Sequence, residues 1–464
     1  MVIQSDALDR RSIQHLVPRP IRACFLGWAV ILCHSLTDPA AAAAAGTPSS
    51  VESKAAGLFK TGDYAAVASL FRGLPPDATP SKTFLRLSLL SYVHLGRPDE
   101  AFEIYLKLNP VEQHQDATLL RPLALAVITS RTRDRKEHVR IAAYTALAEL
   151  SLPETAAILE DGLLDSSVLV RARAAEAIGK SGLAAKSGAL RRALEDERPT
   201  VRIAAIDALG EAKVTDLTQR FIEICQAEEG PEAIFACAAL YKMGYSGRLA
   251  DITNAATLPD AEVRMAALGV LGRLKHPASL AVLAQAVYDP NPSVRAFAAG
   301  ALGEFGSPGG VAPLTHAVGD EMAMVRGIAA ASLGRLGLKV NRPLLQALTR
   351  DPSFQVRASA AEGLLRLGDT SAMLLAAELA QHPDPSVRGA AAQALSVASG
   401  TQALSLLKTL LQDQQALPRL VAAKALGKNS GTVVPLLVKR LRDPDEAVRI
   451  AVAGSLLQQL ARTT

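Results

Sequence analysis

Hydrophobic positions recur along most of the chain with the spacing of one helix face. The stretches DPNPSVRAFAAGALGEFG, starting at Asp289, and DPSFQVRASAAEGLLRLG, starting at Asp351, share a Val-Arg pair followed by alanines and a leucine. If this valine is position 0, alanine occupies position +4 and a large apolar residue position +8 in most copies. These positions share one helix face, so the pattern predicts the same amphipathic helix in successive copies. Glycine often follows at +9, which predicts the end of the helix.

The zero positions define eleven units, most of them 31 residues apart. They are Val139, Val170, Val201, Phe235, Val263, Val294, Val325, Val356, Val387, Pro418 and Val448, and the spacing is irregular around Phe235. A second apolar helix precedes each one, and such a pair buries its apolar faces only against neighbouring pairs. We therefore predict an all-α fold, an α-solenoid formed by a superhelical array of antiparallel helix pairs. The expected shape is a curved rod about 100 Å long with one continuous core.

Two charged residues recur with the same period. Arginine follows the zero position in most units, and aspartate precedes it by five residues in most units. The arginines could form a phosphate-binding stripe, or each aspartate could cap a helix and pair with an arginine of its own or the next unit. Opposite charges that recur in step cancel, which favours a structural ladder. Its predicted members are Asp165, Arg171, Asp196, Arg202, Asp289, Arg295, Asp320, Arg326, Asp351, Arg357, Asp443 and Arg449.

These units, which follow the pattern D-P-x-x-x-V-R-x-x-A-A-x-A-L-G, resemble HEAT repeats in the short form of phycobilisome-lyase-like proteins. We assign eleven HEAT-like repeats to residues 113–464. The resemblance implies a non-catalytic scaffold that binds a protein or peptide partner through an extended solenoid surface. The alternative it implies is an accessory or catalytic subunit of a lyase-like enzyme acting on a protein-bound cofactor. An enzymatic relative, deoxyhypusine hydroxylase, holds iron through His-Glu dipeptides, and this sequence contains none.

Residues 46–112 follow a different pattern. Two helix–turn–helix segments align Gly62 with Gly96, and the second of them resembles a tetratricopeptide repeat. The residues that carry this resemblance are Tyr92, Leu95, Gly96, Ala101 and Tyr105. Two such repeats are fewer than the three that usually fold independently, so we expect this segment to stack on the HEAT-like array as its cap.

Residues 1–45 have the composition of a secretory signal peptide. Four arginines precede the apolar run Ala23–Leu36, and small residues follow it. The run is shorter than the roughly 20 residues that a membrane-spanning helix needs. We expect cleavage near Ala42–Ala45 and a periplasmic or secreted mature chain without a membrane span. The alternative is a chain anchored in the membrane by an uncleaved N-terminal segment.

Composition points away from nucleic-acid binding and from catalysis. A net charge of +5 over 464 residues is small and spread out, so no nucleic-acid partner is expected. The eight histidines form no i, i+4 pair, and no G-x-S-x-G motif occurs. If the marked helices line the concave face, position +6 lies there, and its residues are small or of mixed charge. We therefore predict no catalytic residues, no cofactor and no metal site.

The unit at Phe235 departs from the rule. It has Ala236 where arginine is expected, lacks the aspartate, and contains Cys225 and Cys237, the cysteines that lie outside residues 1–45. Both lie about equally far from a predicted turn at Gly230, so they are level in an antiparallel helix pair. We predict a Cys225–Cys237 disulfide, because an exported protein meets an oxidising compartment. The alternative is that both are small buried apolar residues.

Overall fold

The structure is a computed structural model that describes residues 50–109, 116–227, 230–429 and 433–463. The predicted signal segment, residues 1–45, lies outside these ranges. Within them the chain forms α-helices and short 3-10 turns and no strand. The predicted all-α solenoid is confirmed. No helix among the described residues is both long and apolar enough to span a membrane.

Two helix pairs precede the array: Ser50–Lys60 with Tyr64–Arg72, and Lys82–His94 with Pro98–Leu108. Gly62 and Gly96 occupy the turns with positive φ, a conformation that glycine adopts without steric cost. The second pair packs against the first helix of unit 1. The N-terminal pairs are therefore joined to the array through unit 1.

Eleven units follow, each with two helices. The first helices are Ala117–Arg131, Ala156–Gly162, Gly188–Arg192, Thr218–Ala227, Arg248–Ala255, Leu280–Gln285, Val311–Ala317, Arg342–Leu348, Ala372–Leu379, Thr401–Leu410 and Val434–Arg440. The second helices are Glu137–Leu150, Val168–Lys180, Pro199–Glu211, Pro231–Lys242, Ala261–Leu274, Pro292–Phe305, Ala323–Arg335, Phe354–Arg366, Pro385–Leu395, Ala416–Lys428 and Glu446–Thr463. The second helices contain the Val-Arg pairs.

Unit 4 keeps the regular 31-residue spacing, so the predicted zero position at Phe235 was wrong. Gly210 packs against Ala239 as Gly179 packs against Ala208, and Gly244 adopts positive φ as Gly182 does. These equivalences place the zero position of unit 4 at Glu232, not at Phe235. The repeat is then 31 residues from unit 1 to unit 10, and a polar side chain at the usual valine position had concealed the register.

The +9 glycines lie in the last turn of the second helices, one or two residues before each helix ends, so the pattern places these helix ends correctly to within two residues. A Cβ added to Gly210 would lie 2.5 Å from Ala239 Cβ, and one added to Gly334 would lie 2.3 Å from Gly363 Cα. Just beyond the helix ends, about three residues after the +9 position, Gly182, Gly306, Gly337 and Gly368 have positive φ. Glycine at +9 is required because consecutive second helices touch through their backbones.

This close packing curves the array. Consecutive second helices contact each other more extensively than consecutive first helices do. A layer of closely spaced helices beside a layer of more widely spaced helices must bend toward the close layer. The second helices therefore form the inner, concave layer, and the first helices form the outer layer.

The curvature closes the array on itself, so the expectation of a curved rod about 100 Å long was wrong. The second helix of unit 11 packs against both helices of unit 1, a contact that we call the seam. Arg131 of unit 1 donates to Glu446 of unit 11 at 2.8 Å, and Arg449 pairs with Asp99 of the N-terminal segment. One large cluster of buried side chains runs from Ala68 to Leu460, so the expected continuity of the core holds for most of the array.

The sequence contained a signal for this closure. A terminal unit of an open solenoid presents a polar outer edge to water. In unit 11 the edge positions +2 and +9 are Ile450 and Leu457, which are 2% and 6% exposed. Their burial against unit 1 explains why the last unit keeps an apolar edge.

Candidate functional site

The predicted charged residues form a repeated interunit bridge. Arg326 donates through Nε and Nη2 to Asp351 of the next unit at 2.8 and 2.9 Å, and its Nη1 donates to the carbonyl of Asp320 in its own unit. The Asp351 carboxylate also accepts the backbone N–H of Ser353 at 2.8 Å. Each such arginine therefore ties two consecutive turns together, and each aspartate orders its own turn.

The same pair of hydrogen bonds, from Nε and Nη2 of an arginine to one carboxylate, joins six further pairs. They are Arg140–Asp165, Arg171–Asp196, Arg264–Asp289, Arg295–Asp320, Arg388–Asp413 and Arg419–Asp443. Both partners are largely buried, and Asp443 is fully buried. The guanidinium groups of these pairs donate to the aspartates and to backbone carbonyls, so they are not arranged as a phosphate-binding stripe.

Four of these aspartates have pKa values below the usual range. The hydrogen bonds from Arg326 and Arg388 hold the pKa values of Asp351 and Asp413 below the usual range. Burial acts to raise the pKa values of Asp196 and Asp320. The hydrogen bonds from Arg171 and Arg295, together with backbone N–H bonds and the nearby arginine charges, outweigh it and lower both pKa values. The charged form of these four aspartates is therefore favoured.

Three predicted ladder arginines have other partners. Arg202 pairs with Glu232 of unit 4, so unit 4 does receive a bridge from unit 3 although it lacks the aspartate. Arg357 donates to the carbonyls of Asp351 and Pro352, and unit 9 has His382 where an aspartate would receive it. Arg449 lies at the seam and pairs with Asp99 and Glu446.

The two cysteines of unit 4 are brought together between its helices. Their sulfur atoms are bonded, and their Cα atoms lie 5.2 Å apart, within the range for disulfides. The Asp251 carboxylate lies within 4.8 Å of both sulfurs, so the reduced form would offer three potential metal ligands. Arg248 contacts Cys225 Sγ at 3.9 Å and pairs with Asp251 at 2.9 Å. This guanidinium opposes a bound cation there.

The inner face of the second helices is defined by their helical geometry. Positions 0, +4 and +8 face the first helix, and +2 and +9 face the next unit. Positions −1, +6 and +10 remain on the free side. Contacts across this face agree, because Arg273 at +10 of unit 5 reaches Asp207 at +6 of unit 3, 3.2 Å away. An ion pair that passes over an intervening unit requires a concave surface.

The same contact recurs across the seam. Lys424, at +6 of unit 10, pairs with Glu149, at +10 of unit 1, at 3.1 Å. Counting around the closed array, these residues are also two units apart. The inner face is therefore continuous through the seam.

Charges on the inner face mostly pair with one another. Examples are Arg173 with Glu176 at 2.7 Å, Arg366 with Glu362 at 2.9 Å, and Lys242 with Glu211. The face presents balanced charge to solvent, in agreement with the mixed composition expected at position +6.

Units 5 to 7 present a different surface. Phe297 and Met324 are 51% and 47% exposed at positions +3 and −1. Beside them, position +6 is Gly269, Gly300 and Ala331. A Cβ on Gly269 would meet nothing within 4 Å, and one on Gly300 would lie an ordinary 3.7 Å from Ile328. Packing does not require these glycines, and a glycine inside a helix costs about 1 kcal/mol relative to alanine. We call residues 269, 297, 300 and 324 the inner apolar patch.

A cleft of about 150 Å³ lies at the seam. Its walls come from the second helices of units 1, 10 and 11, and its lining includes Lys424, Lys428, Glu149, Ile450 and Gly454. Sequence patterns within one unit could not predict it, because it forms only when the two ends of the array meet.

The sequence matches the family of HEAT repeats over residues 117–179, 164–240, 282–343 and 341–427. A search of curated proteins finds no match to the sequence. Among solved structures, human deoxyhypusine hydroxylase is similar at 19% identity and a TM-score of 0.31, over 54% of this chain and 98% of that one.

Two further structures show comparable similarity. The complex of CpcE and CpcF of phycocyanin lyase from Nostoc sp. is 20% identical, with a TM-score of 0.30 over 59% of this chain and 93% of that one. The Kap121p mutant is 12% identical, with a TM-score of 0.36 over 83% of this chain and 56% of that one. Because the family match covers more than half of the sequence, the chain belongs to the HEAT-repeat family.

Proposed function

We propose that the protein is a non-catalytic scaffold that binds a protein or peptide partner on the inner face of its closed array. The inner apolar patch carries this proposal. A half-exposed aromatic side chain and a half-exposed methionine lie beside helix positions kept free of side chains at a cost in stability. A partner backbone can approach closely where a Cβ is missing, and apolar side chains beside it supply the contact energy.

The charges support the same function. The arginines of the ladder are paired between units, and most charges of the inner face pair with each other. An uncharged segment that binds at the inner apolar patch therefore removes few charged groups from water. We infer that the bound segment is apolar at the positions that contact Phe297 and Met324.

We also propose export to the periplasm or beyond, with residues 1–45 removed as a signal peptide. The basic and apolar pattern of that segment supports it, and so does the bonded Cys225–Cys237 pair, since disulfides persist in oxidising compartments. Counting thiols in the unfolded, non-reduced mature protein tests this proposal. Two free thiols per chain would contradict the disulfide and weaken the case for export.

The N-terminal pairs, which resemble tetratricopeptide repeats, are proposed to cap the seam. Asp99 pairs with Arg449, Glu103 pairs with Arg442, and Arg442 lies 5.5 Å from the ring centre of Phe102. These contacts join the helix Pro98–Leu108 to unit 11 as well as to unit 1. A cap that touches both ends of the array would help to hold it closed.

The partner is to be identified by crosslinking in the native cell followed by mass spectrometry. Substituting Gly300 by Leu places a side chain on the inner face, where its Cβ would make an ordinary 3.7 Å contact with Ile328, so the fold should persist while the partner is excluded. We expect crosslinking through units 5 to 7 to fall at least tenfold. The matched control is Leu374→Ala, a change to a residue that is 76% exposed on a first helix. Equal loss in both variants, or none in Gly300→Leu, would contradict a partner site at the patch.

A further inference from the structure

We propose that the seam cleft binds a carboxylate attached to a short apolar group, and that its biological ligand is the C-terminal residue of a bound partner chain. The inference extends the proposed scaffold function by adding a second contact and its chemistry. It rests on that function only for the source of the ligand.

The cationic side of the cleft comes from one helix. Lys424 and Lys428 are four residues apart on the second helix of unit 10, so they lie on the same face, at positions +6 and +10. Lys424 is paired with Glu149 at 3.1 Å. Lys428 forms no hydrogen bond or ion pair with the residues that the structure describes, and it is exposed. One ammonium group is thus available to an anion.

The rest of the lining is mostly apolar. Leu420 contributes hydrocarbon surface, and the partly exposed Ala142 and Leu150 face it from unit 1. Ile450 and Ala451, which are nearly buried, also line the cleft. A Cβ added to Gly454 would meet nothing within 4 Å, so the floor is open above the helix backbone. An inorganic anion would satisfy the lysine but leave this surface in water. A carboxylate on an apolar stem satisfies both.

The size of the cleft limits the ligand. A cavity of about 150 Å³ admits a benzene-sized molecule. One apolar amino-acid side chain with its terminal carboxylate is of this order. Glu149 also lines the cleft and would repel an anion if it were free, but Lys424 neutralises it.

Binding in this cleft would act on the closure of the array. A ligand held there touches units 1, 10 and 11, the units whose contact closes the array. A ligand that binds only the closed form stabilises it. The carboxylate is therefore expected to raise the thermal unfolding temperature in addition to binding.

The test uses the mature protein and four probes. They are hexanoate, hexanol, the dipeptide Ala-Leu with a free C-terminus, and the same dipeptide as its C-terminal amide. Binding is measured by calorimetry and by the shift in unfolding temperature. We expect Ala-Leu to bind at least tenfold more tightly than its amide. Hexanol should not bind detectably. Equal binding of acid and amide, or no binding of either carboxylate, would overturn the proposal.

Three variants check the location of the site. Lys428→Gln should weaken Ala-Leu binding at least tenfold, whereas Lys180→Gln, at position +10 of unit 2, should leave it unchanged. Gly454→Leu should fill the floor and abolish binding, and unfolding curves verify that the variant remains folded. Glu149→Gln should free Lys424 and tighten binding severalfold. Unchanged binding in Lys428→Gln would place the carboxylate elsewhere and sink the assignment.

The two probe classes distinguish the source of the carboxylate. Binding of Ala-Leu without hexanoate supports a peptide C-terminus. Equal binding of both supports the site but overturns its assignment to a partner chain in favour of a free small carboxylate. The partner site in units 5 to 7 is tested independently by Gly300→Leu, so failure of one proposal does not imply failure of the other.

Discussion

Two interfaces hold neighbouring units together with different residues. One is the interface between units 7 and 8, and the other is the seam between units 11 and 1. Between units 7 and 8, glycine meets glycine through their backbones, and Arg326 holds Asp351 by two hydrogen bonds. At the seam, Ile450 and Leu457 form an apolar edge, and Arg131 pairs with Glu446. Beside it, arginines of unit 11 pair with the exposed Asp99 and Glu103 of the N-terminal segment. The repeated interface is dense and specific. The seam is less regular and leaves a cleft.

This difference shows that the curvature of the array and its closure depend on different contacts. The repeated contacts set the curvature, because each one brings the inner helices together. The seam only has to seal a gap of about the right size, so its residues are under less constraint and leave room for a ligand. The most adaptable surface of the inner face therefore lies where the repeat ends.

The largest effect is expected from the most deeply buried bridge of the ladder. Arg419→Ala leaves Asp443, which is fully buried, without its main partner, and a broken buried pair costs about 3–5 kcal/mol. Arg357→Ala is the matched control, because among the described residues Arg357 donates to backbone carbonyls and to no carboxylate. It should cost about 1 kcal/mol. Urea unfolding measures both. Similar losses in the two variants would show that the interunit pairs add little.

The seam should open when its apolar edge is made polar. Leu457→Asp removes a buried leucine from the contact with unit 1 and costs about 2–3 kcal/mol of apolar burial. We expect the radius of gyration in small-angle scattering to rise while helical circular dichroism is retained. Leu164→Asp, at a residue 80% exposed, should change neither. A compact Leu457→Asp particle would contradict closure through this edge.

Much of this fold could be predicted from the sequence because the ladder and the core positions are local and repeated. Arg326 and Asp351 recur at fixed offsets, so their pairing needs only the repeat geometry. Closure could not be predicted in the same way. It depends on the small bend at each interface between units, added up over the whole array. The register of unit 4 was missed because Glu232 occupies a position that is usually valine. The seam cleft was missed because its walls are about 300 residues apart in sequence.

The close backbone contact between consecutive second helices is tested by adding a single methyl group. Gly334→Ala places its Cβ against the backbone of Gly363, and overpacking of this kind costs about 1–3 kcal/mol. Gly300→Ala, on the inner face, would make an ordinary 3.7 Å contact with Ile328 and should instead stabilise the protein by up to about 1 kcal/mol. Thermal unfolding of the two variants gives the comparison. Loss of stability in Gly300→Ala would mean that this glycine also has a packing role.

Acid should weaken the repeated interfaces. The bonds from Arg326 and Arg388 lower the folded-state pKa values of Asp351 and Asp413 below the unfolded value of about 3.9. The stabilisation is therefore complete above that pH and is lost as the pH falls through the folded-state values. Unfolding free energy should decline from about pH 4 downward, and Asp351→Asn should decline less steeply. Identical slopes in the variant and the parent would contradict a ladder contribution.

The smallest effect is expected from the exposed ion pair between Lys424 of unit 10 and Glu149 of unit 1. Lys424 and Glu149 are both more than 40% exposed, so their attraction is screened by water and should contribute less than about 1 kcal/mol. A double-mutant cycle with Lys424→Gln and Glu149→Gln isolates this energy, and raising the salt concentration should reduce it further. The same cycle on Arg419 and Asp443 should give a severalfold larger value that is less sensitive to salt. Equal coupling energies would contradict the distinction, because they would show that the seam is held by charge as firmly as the repeated interfaces are.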